Sequence, residues 1–436
     1  MKKKNGTKNK KKKTVYLALS VDFLHSVHLR IIKLAKKYGN LIIGLMSDKA
    51  IIEYKSLPLL SFNERKKIIE NISGIYKVIK QDDADYSKTL NKLKPDYFVH
   101  GSDWKFDNRK QIRNNVIKIL KKIRCRLIEP KYQKKIEDYN FRSKLSEYFS
   151  PDVRVSNLKR ALESKKIIRV LESHNSLTGL IIDNLKNNKN EEFDAMWSSS
   201  LTDSLTRGKP DNQSVDFSTR INGLNEMMDV TTKPVIFDAD NGGRIEHMHF
   251  TVKTLERIGV SAMIIEDKIG LKQNSLFADQ KKSLQDSIQE FSKKIQTVCK
   301  ARRSKNFMVI ARIESFILGK GLNDSLKRAI AYSKAGADAI LIHSKEKTPK
   351  EIFSFSKQFV KSKYFKPLVC VPSTYSSVSE KDLIKNNFKI VIYANQMLRS
   401  AYPAMLDTAK IILKNKRSYS QEKKMTPIKE IINLVN

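Results

Sequence analysis

Glu266, Asp267 and Lys268 follow directly on the apolar run 261–265, and Lys272, Asn274 and Ser275 come a few residues later. A buried strand that stops in a carboxylate and opens into a Lys/Asn/Ser loop supplies what an anion-binding active site needs. Asp238 and Asp240 stand at the end of the preceding apolar run, 234–237. With Glu266 they offer three hard oxygen ligands of the kind Mg²⁺ takes, an ion that keeps several waters and binds one or two carboxylates. Such an ion neutralises an enolate or carboxylate that would not otherwise form at neutral pH. Arg312 presents a planar fork that suits a phosphoryl group, and His343 can donate to a phosphoryl oxygen. A structural ion pair for the arginine and a buried, hydrogen-bonded ring for the histidine are the plainer alternatives.

These residues need elements that bring them together. From residue 167 onward there are eight apolar runs: 167–171, 193–197, 234–237, 261–265, 307–313, 339–342, 367–371 and 389–393. Helical patterns lie between most of them, among them 250–258, 287–301, 322–335 and 349–360. Eight strands with intervening helices imply a (β/α)8 barrel of the TIM type. Most runs end in residues that can do chemistry, and the strand ends of such a barrel share one mouth. A helix cap or a surface loop explains any one of those residues; the set points to a site.

The pattern Glu266-Asp267-Lys268 followed by Lys272-x-Asn274-Ser275 resembles the phosphoenolpyruvate mutases of the isocitrate lyase superfamily, and the resemblance runs from about Arg169 to the C-terminus. The lyase branch carries a Cys-Gly-His in this loop, where the chain has Gln273-Asn274-Ser275. Trp197-Ser198-Ser199-Ser200-Leu201 is similar to a Trp-x-Ser-Gly-Leu pattern, with Ser200 at the usual glycine. The resemblance implies a Mg²⁺ ion held directly by Asp238 and through water by Asp240 and Glu266. It implies that Ser199 contacts the phosphoryl group, that the backbone of Ser200 and Leu201 holds the carboxylate, and that Asp211 is the nucleophile. Lys268, Lys272, Asn274 and Ser275 fall on a gating segment, with Asn274 holding the migrating group. The implied reaction turns phosphoenolpyruvate into phosphonopyruvate, with water kept out. Relatives are homo-oligomers, dimers or tetramers, that exchange C-terminal helices. The terminal run 428–434 suits that part, or it packs on its own barrel.

The first part of the chain alternates short strands (14–19, 41–46, 97–99) with helical spacing (28–38, 63–72), a Rossmann-like, doubly wound α/β pattern. Its first loop holds Asp22, His25 and His28. Imidazoles near a helix N-terminus suit phosphate, although two loop histidines are ordinarily surface groups. The segment from Val15 to about Glu129 resembles the cytidylyltransferase-like members of the HIGH-motif nucleotidyltransferases, which implies that these residues bind a nucleotide such as CTP. Val27 replaces the motif glycine, which lets a backbone come close to phosphate. The Ser/Thr stretch expected after the last strand is Lys131-Tyr132-Gln133-Lys134 instead. Both departures predict a catalytically silent domain.

The 436 residues exceed one ordinary core and divide into a basic tail (1–13), the nucleotidyltransferase-like domain (14–140), a charged linker broken at Pro151 (141–166) and the barrel (167–436). The net charge of +38 comes from 84 basic and 46 acidic residues spread over the whole chain, a compositional bias rather than a patch for a specific nucleic acid. Three distant cysteines point to a reducing cytoplasm, and no apolar run approaches the about 20 residues that span a bilayer. The rivals are a phosphonopyruvate hydrolase or a carbon–carbon lyase on the same barrel, and a non-catalytic basic protein that binds nucleic acid or a membrane surface.

Overall fold

The computed structural model describes residues 13–22, 24–53, 55, 57–105, 109–131, 151–188, 191–270, 272–275 and 284–435. The basic tail up to residue 12, the 132–138 stretch and the 141–150 part of the linker lie outside them. The chain divides into two compact units, 1–142 and 143–436.

The first unit is a parallel five-stranded sheet of β1 (Thr14–Leu19), β2 (Asn40–Met46), β3 (Lys77–Gln81), β4 (Tyr97–Val99) and β5 (Arg126–Ile128), in the order β3-β2-β1-β4-β5. Central β1 is apolar on both faces and buried on both, as a strand covered by helices on each side must be. The order reverses between β1 and β4. That switch point is where open α/β sheets place ligands, and the His25–His28 loop leaves β1 there. Two strands escape the sequence reading. Lys77–Gln81 is an edge strand with lysines at two of its five positions, and Arg126–Ile128 has three residues. Neither carries the apolar run that marks a buried strand.

The second unit is a closed barrel of eight parallel strands: β6 (Ile168–Glu172), β7 (Ala195–Ser198), β8 (Val235–Asp238), β9 (Ala262–Glu266), β12 (Met308–Ile313), β13 (Ala339–Ile342), β14 (Leu368–Cys370) and β15 (Phe388–Tyr393). Between β9 and β12 a short antiparallel pair, β10 (Lys268–Ile269) and β11 (Leu284–Gln285), stands apart from the barrel. All eight expected strands are present within two residues of their expected bounds. Four of the ends differ for one reason: Glu172, Ser198, Asp238 and Glu266, read as the loop after the strand, are the last residue of it. Pro151 lies in the first described turn of the helix Pro151–Ser164, where proline is tolerated because its missing N–H needs no partner there. That helix buries Val155, Leu158 and Ala161 and belongs to the barrel unit, so the expected linker is partly barrel structure. Among the described residues no helix is long and apolar enough to cross a membrane.

Candidate active site

Barrel closure turns strand ends into neighbours. Asp238 ends β8, Glu266 ends β9, Arg312 lies one residue before the end of β12, and His343 follows β13. All four are buried. A cavity opens over them. Trp197, Ser199, Ser200 and Leu201 line one side; Arg312 and His343 line another, and Asp211, Lys272, Asn274 and Ser275 complete it. Lys268, Asp240 and Glu266 sit just behind this lining, each tied to a group that faces the cavity.

Ser199 is the N-cap of the short helix Ser200–Leu205. The first-turn N–H groups of Ser200 and Leu201 have no carbonyl a turn behind them, which makes this end a place for an oxyanion. The Ser200 hydroxyl, which a glycine would lack, donates to Asp238 Oδ2 at 3.0 Å and touches the Lys272 ammonium.

The segment 272–275 crosses the cavity. Asn274 Nδ2 donates to Asp211 Oδ2 at 3.0 Å, and Lys272 Nζ lies 2.9 Å from Asp211 Oδ1. Lys272 also pairs with Asp240. Burial alone would lower its pKa, but Asp240, Asp238 and Asp211 outweigh burial and push it up, so the ammonium stays charged. Lys268 Nζ donates to the Gln273 carbonyl at 2.7 Å and to Ser275 Oγ at 3.0 Å. The segment is thereby tied to the β9 end.

Arg312 is held on several sides. Its Nε donates to Glu314 Oε1 at 2.6 Å, and its Nη2 lies 3.0 Å from Ser275 Oγ, 3.0 Å from His343 Nδ1 and 3.3 Å from Glu266 Oε2. Glu314, fully buried, also meets His343 Nδ1 at 2.9 Å and receives Ser275 Oγ at 2.6 Å. Burial and the Arg312 charge lower the His343 pKa against the pull of Glu314, which keeps the ring neutral.

Asp238 is buried, yet Lys272, Arg312 and Arg220 hold its carboxyl below the usual range. Burial pushes Glu266 up to about 7, with Arg312 pulling the other way. Asp240 takes a left-handed backbone, φ +52°, tolerated by Asp and Asn more than by most residues. Its Oδ1 is buried without a hydrogen bond and faces Lys272. Among the described residues no group of three His, Cys, Asp or Glu converges to hold a metal by itself. Asp238, Asp240 and Glu266 are hard oxygen donors of the type a Mg²⁺ ion takes.

Glu314, read from the sequence with Arg312 as a chemistry-bearing group at a run end but given no role, orients Arg312 and His343 together; one group escaped the sequence reading. Arg220, from the helix Phe217–Met228, donates to Asp203 Oδ2 at 2.9 Å and to the Asp238 carbonyl at 2.6 Å, and nothing in its local sequence marks it. In the first unit, His25 is the N-cap of Ser26–Lys36, and its ring lies 3.9 Å from that of His28. Asp22 Oδ1 accepts from the Leu60 N–H at 3.2 Å, so its carboxylate serves a loop contact.

Comparison with known proteins agrees with this division. Residues 158–413 match the family described as Phosphoenolpyruvate phosphomutase, and residues 20–144 match the family described as Cytidylyltransferase-like. A phosphoenolpyruvate phosphomutase of Tetrahymena pyriformis is 34% identical over 291 residues, 66% of this chain and 94% of that one. A phosphonopyruvate hydrolase of Variovorax sp. (strain Pal2) is 33% identical over 279 residues, 64% of this chain and 93% of that one. A crystal structure of phosphonopyruvate hydrolase in complex with oxalate and Mg²⁺ superposes with a TM-score of 0.57 at 31% identity, covering 64% of this chain and 94% of that one.

Proposed function

The chain belongs to the phosphoenolpyruvate phosphomutase family, and on that premise we propose that its barrel isomerises phosphoenolpyruvate to 3-phosphonopyruvate with Mg²⁺. In this reaction the bond from phosphorus to the enol oxygen breaks, a bond from phosphorus to carbon 3 forms, and the enol oxygen becomes a ketone. The observation that carries the proposal is the placement of Asp211 between Asn274 and Lys272, inside the cavity that Arg312 and His343 line. A carboxylate so held can receive a phosphoryl group or steer it, while the amide and ammonium follow the charge as it moves.

Asp238 would hold Mg²⁺ directly, with Asp240 and Glu266 reaching it through water. When bound, the ion neutralises the enolate and carboxylate oxygens. Arg312 and Ser199 would hold phosphoryl oxygens. His343, whose Nδ1 lies between Arg312 and Glu314, would meet the same group through Nε2. The first-turn N–H groups of Ser200 and Leu201 would take the substrate carboxylate. Lys268 and Ser275 keep the 272–275 segment across the opening, where it excludes water.

Hydrolysis of phosphonopyruvate is the second reading, favoured by the hydrolase relative on the same barrel. A carbon–carbon lyase is disfavoured by Gln273-Asn274-Ser275, which contains no cysteine. The experiment is ³¹P NMR of the protein with phosphonopyruvate and Mg²⁺. Phosphoenolpyruvate should appear. Inorganic phosphate alone would make the protein a hydrolase, and no change with folded protein would sink both readings.

The nucleotidyltransferase-like domain is read here as silent toward CTP. The assembly is read as a homo-oligomer. The helices Gln396–Asn415 and Ile428–Val435 bury none of their residues in the chain, and Ile428, Ile432 and Val435 are exposed at 71%, 52% and 69%. Apolar faces of this size call for a cover, here a second copy. Light scattering that gives a monomer at micromolar concentration would remove this part. Three free cysteines agree with a cytoplasmic enzyme.

A further inference from the structure

Asp267, the middle residue of Glu266-Asp267-Lys268, is fully buried, and its contacts lie behind the cavity lining. Its Oδ1 accepts from the backbone N–H of Glu314 at 2.9 Å. Its Oδ2 accepts from the Tyr332 hydroxyl at 2.8 Å, from Gln285 Nε2 at 2.9 Å and from Arg328 Nη1 at 3.1 Å. Its carbonyl accepts from the Asp286 N–H at 2.8 Å, and its N–H donates to the Arg312 carbonyl at 3.1 Å. One residue thus ties together the exit of β9, the start of β10, the end of β11, the end of β12 and the helix Gly321–Ala335 that carries Arg328 and Tyr332.

The ties close into a network. Arg328 Nη1 also reaches the Asp286 carbonyl at 2.8 Å and the Tyr332 oxygen at 2.7 Å. Its Nε donates to Asp324 at 2.8 Å; Asp324 accepts from Ser315 Oγ, and Ser315 Oγ accepts from Gln285 Nε2. A buried carboxylate that accepts from charged and neutral donors at once is expensive to disturb.

What this network holds is specific. The residues between Lys268 and Gln285 include Lys272, Asn274 and Ser275, which reach into the cavity. The pairing of β10 with β11 is only two residues long, and so short a ladder is weak by itself. The Asp267 carboxylate and carbonyl grip the β11 side through Gln285 and Asp286, while its own chain continues into β10. Both ends of the segment are therefore fixed at one point, and that point is fixed to β12, whose Arg312 must face Asn274 across the cavity. We propose that Asp267, with Arg328, Tyr332 and Gln285, forms a positioning anchor that sets where Lys272 and Asn274 meet Asp211. Its catalytic consequence rests on the phosphoryl-transfer reading above; the anchoring itself does not.

The full chain is compared with Tyr332→Phe, which removes one hydroxyl and keeps the ring in the core, and with Gln285→Ala, on a half-buried residue outside the main core. Two quantities are read: the rate of tryptic cleavage between Lys268 and Gln285, mapped by mass spectrometry, and the ratio of inorganic phosphate to phosphoenolpyruvate formed from phosphonopyruvate. In both folded variants cleavage should rise by about tenfold and the phosphate fraction should rise severalfold, since a misplacement of about 1 Å at a reacting group costs up to about 10²-fold in rate. A lowered melting temperature with cleavage and product ratio both unchanged makes the network a plain structural tie and overturns the proposal. Faster cleavage with an unchanged ratio overturns the positioning role. Should the wild-type protein act on neither substrate, the proposed reaction fails, and the cleavage rates alone decide the anchor.

Discussion

The two units pose the same problem and answer it differently. Each places polar residues where parallel strands end, next to a helix start, at the position where its fold takes ligands. At the barrel mouth the charged groups meet partners from other strands: Arg312 on β12 meets Glu266 from β9 and His343 beyond β13, and Asp238 on β8 meets Lys272 from the segment beyond β10. In the first unit, His25 caps the helix Ser26–Lys36 and packs against His28 in its first turn, and Asp22 braces Leu60 in a neighbouring loop. A motif supplies residue types. Convergence from separate elements supplies preorganised electrostatics, which is where most of a site's catalytic power comes from.

The largest effect that comparison predicts is removal of the metal. The buried carboxylates Asp238, Asp240 and Glu266 face cationic side chains but form no closed cage, so the ion should exchange readily. Dialysis against EDTA should abolish isomerisation, and Mg²⁺ should restore it. Full turnover after verified metal removal would break the assignment of these residues. Next comes Asn274→Ala. Its amide touches Asp211 and supports no core packing, so turnover should fall by about 10²- to 10³-fold while the melting temperature stays within a few degrees. Unchanged turnover would remove the 272–275 segment from the chemistry.

How much of this was legible in the sequence follows from the same contrast. The barrel strands were legible because most are buried on both faces and read as largely apolar runs, and the chemistry-bearing residues sit at a predictable place, the run's end. Lys272 and Asn274 were legible as a polar loop at a strand end, but Asp211 only by resemblance, since nothing local says that residues so far apart meet at 3 Å. Glu314 was legible as a strand-end carboxylate beside Arg312 but not in its role, because that depends on strand-end neighbours that only barrel closure supplies. Arg220 and the Asp267 network were not legible at all: their partners lie across the fold, and an interior arginine reads like a surface one. In the first unit, β3 and β5 were missed because edge strands carry polar residues and lack the two-faced apolar signature.

A smaller effect separates the units by pH. His100, which follows β4, is buried against Trp104 with ring centroids 3.8 Å apart. Burial lowers its pKa from 6.5 to about 4, against the pull of its bond to the Gly101 carbonyl and of Asp103. The unfolded chain takes up this proton first as pH falls. The stabilisation is therefore complete above about pH 6.5 and is lost progressively as the pH falls toward 4, a span worth about 3 kcal/mol. Urea titrations that follow Trp104 fluorescence should show the first unit weakening over that window, and His100→Phe should flatten the dependence. A variant with the wild-type slope would assign the effect to other groups.

The smallest expected effect is none. With CTP and either a phosphonate alcohol or aminoethylphosphonate, the protein should release no pyrophosphate above the blank. Val27 is the second residue of the helix Ser26–Lys36, where the nucleotidyltransferase motif has a glycine, and a β-branched side chain there stands in the way of a phosphate seeking the helix N-terminus. Val21, on the approach to the same loop, holds a positive φ of 30°, a strained conformation for a β-branched residue. Pyrophosphate release by the wild-type chain would break the comparison outright. Release by Val27→Gly alone would sharpen it, since one side chain would then separate the two units' capacities.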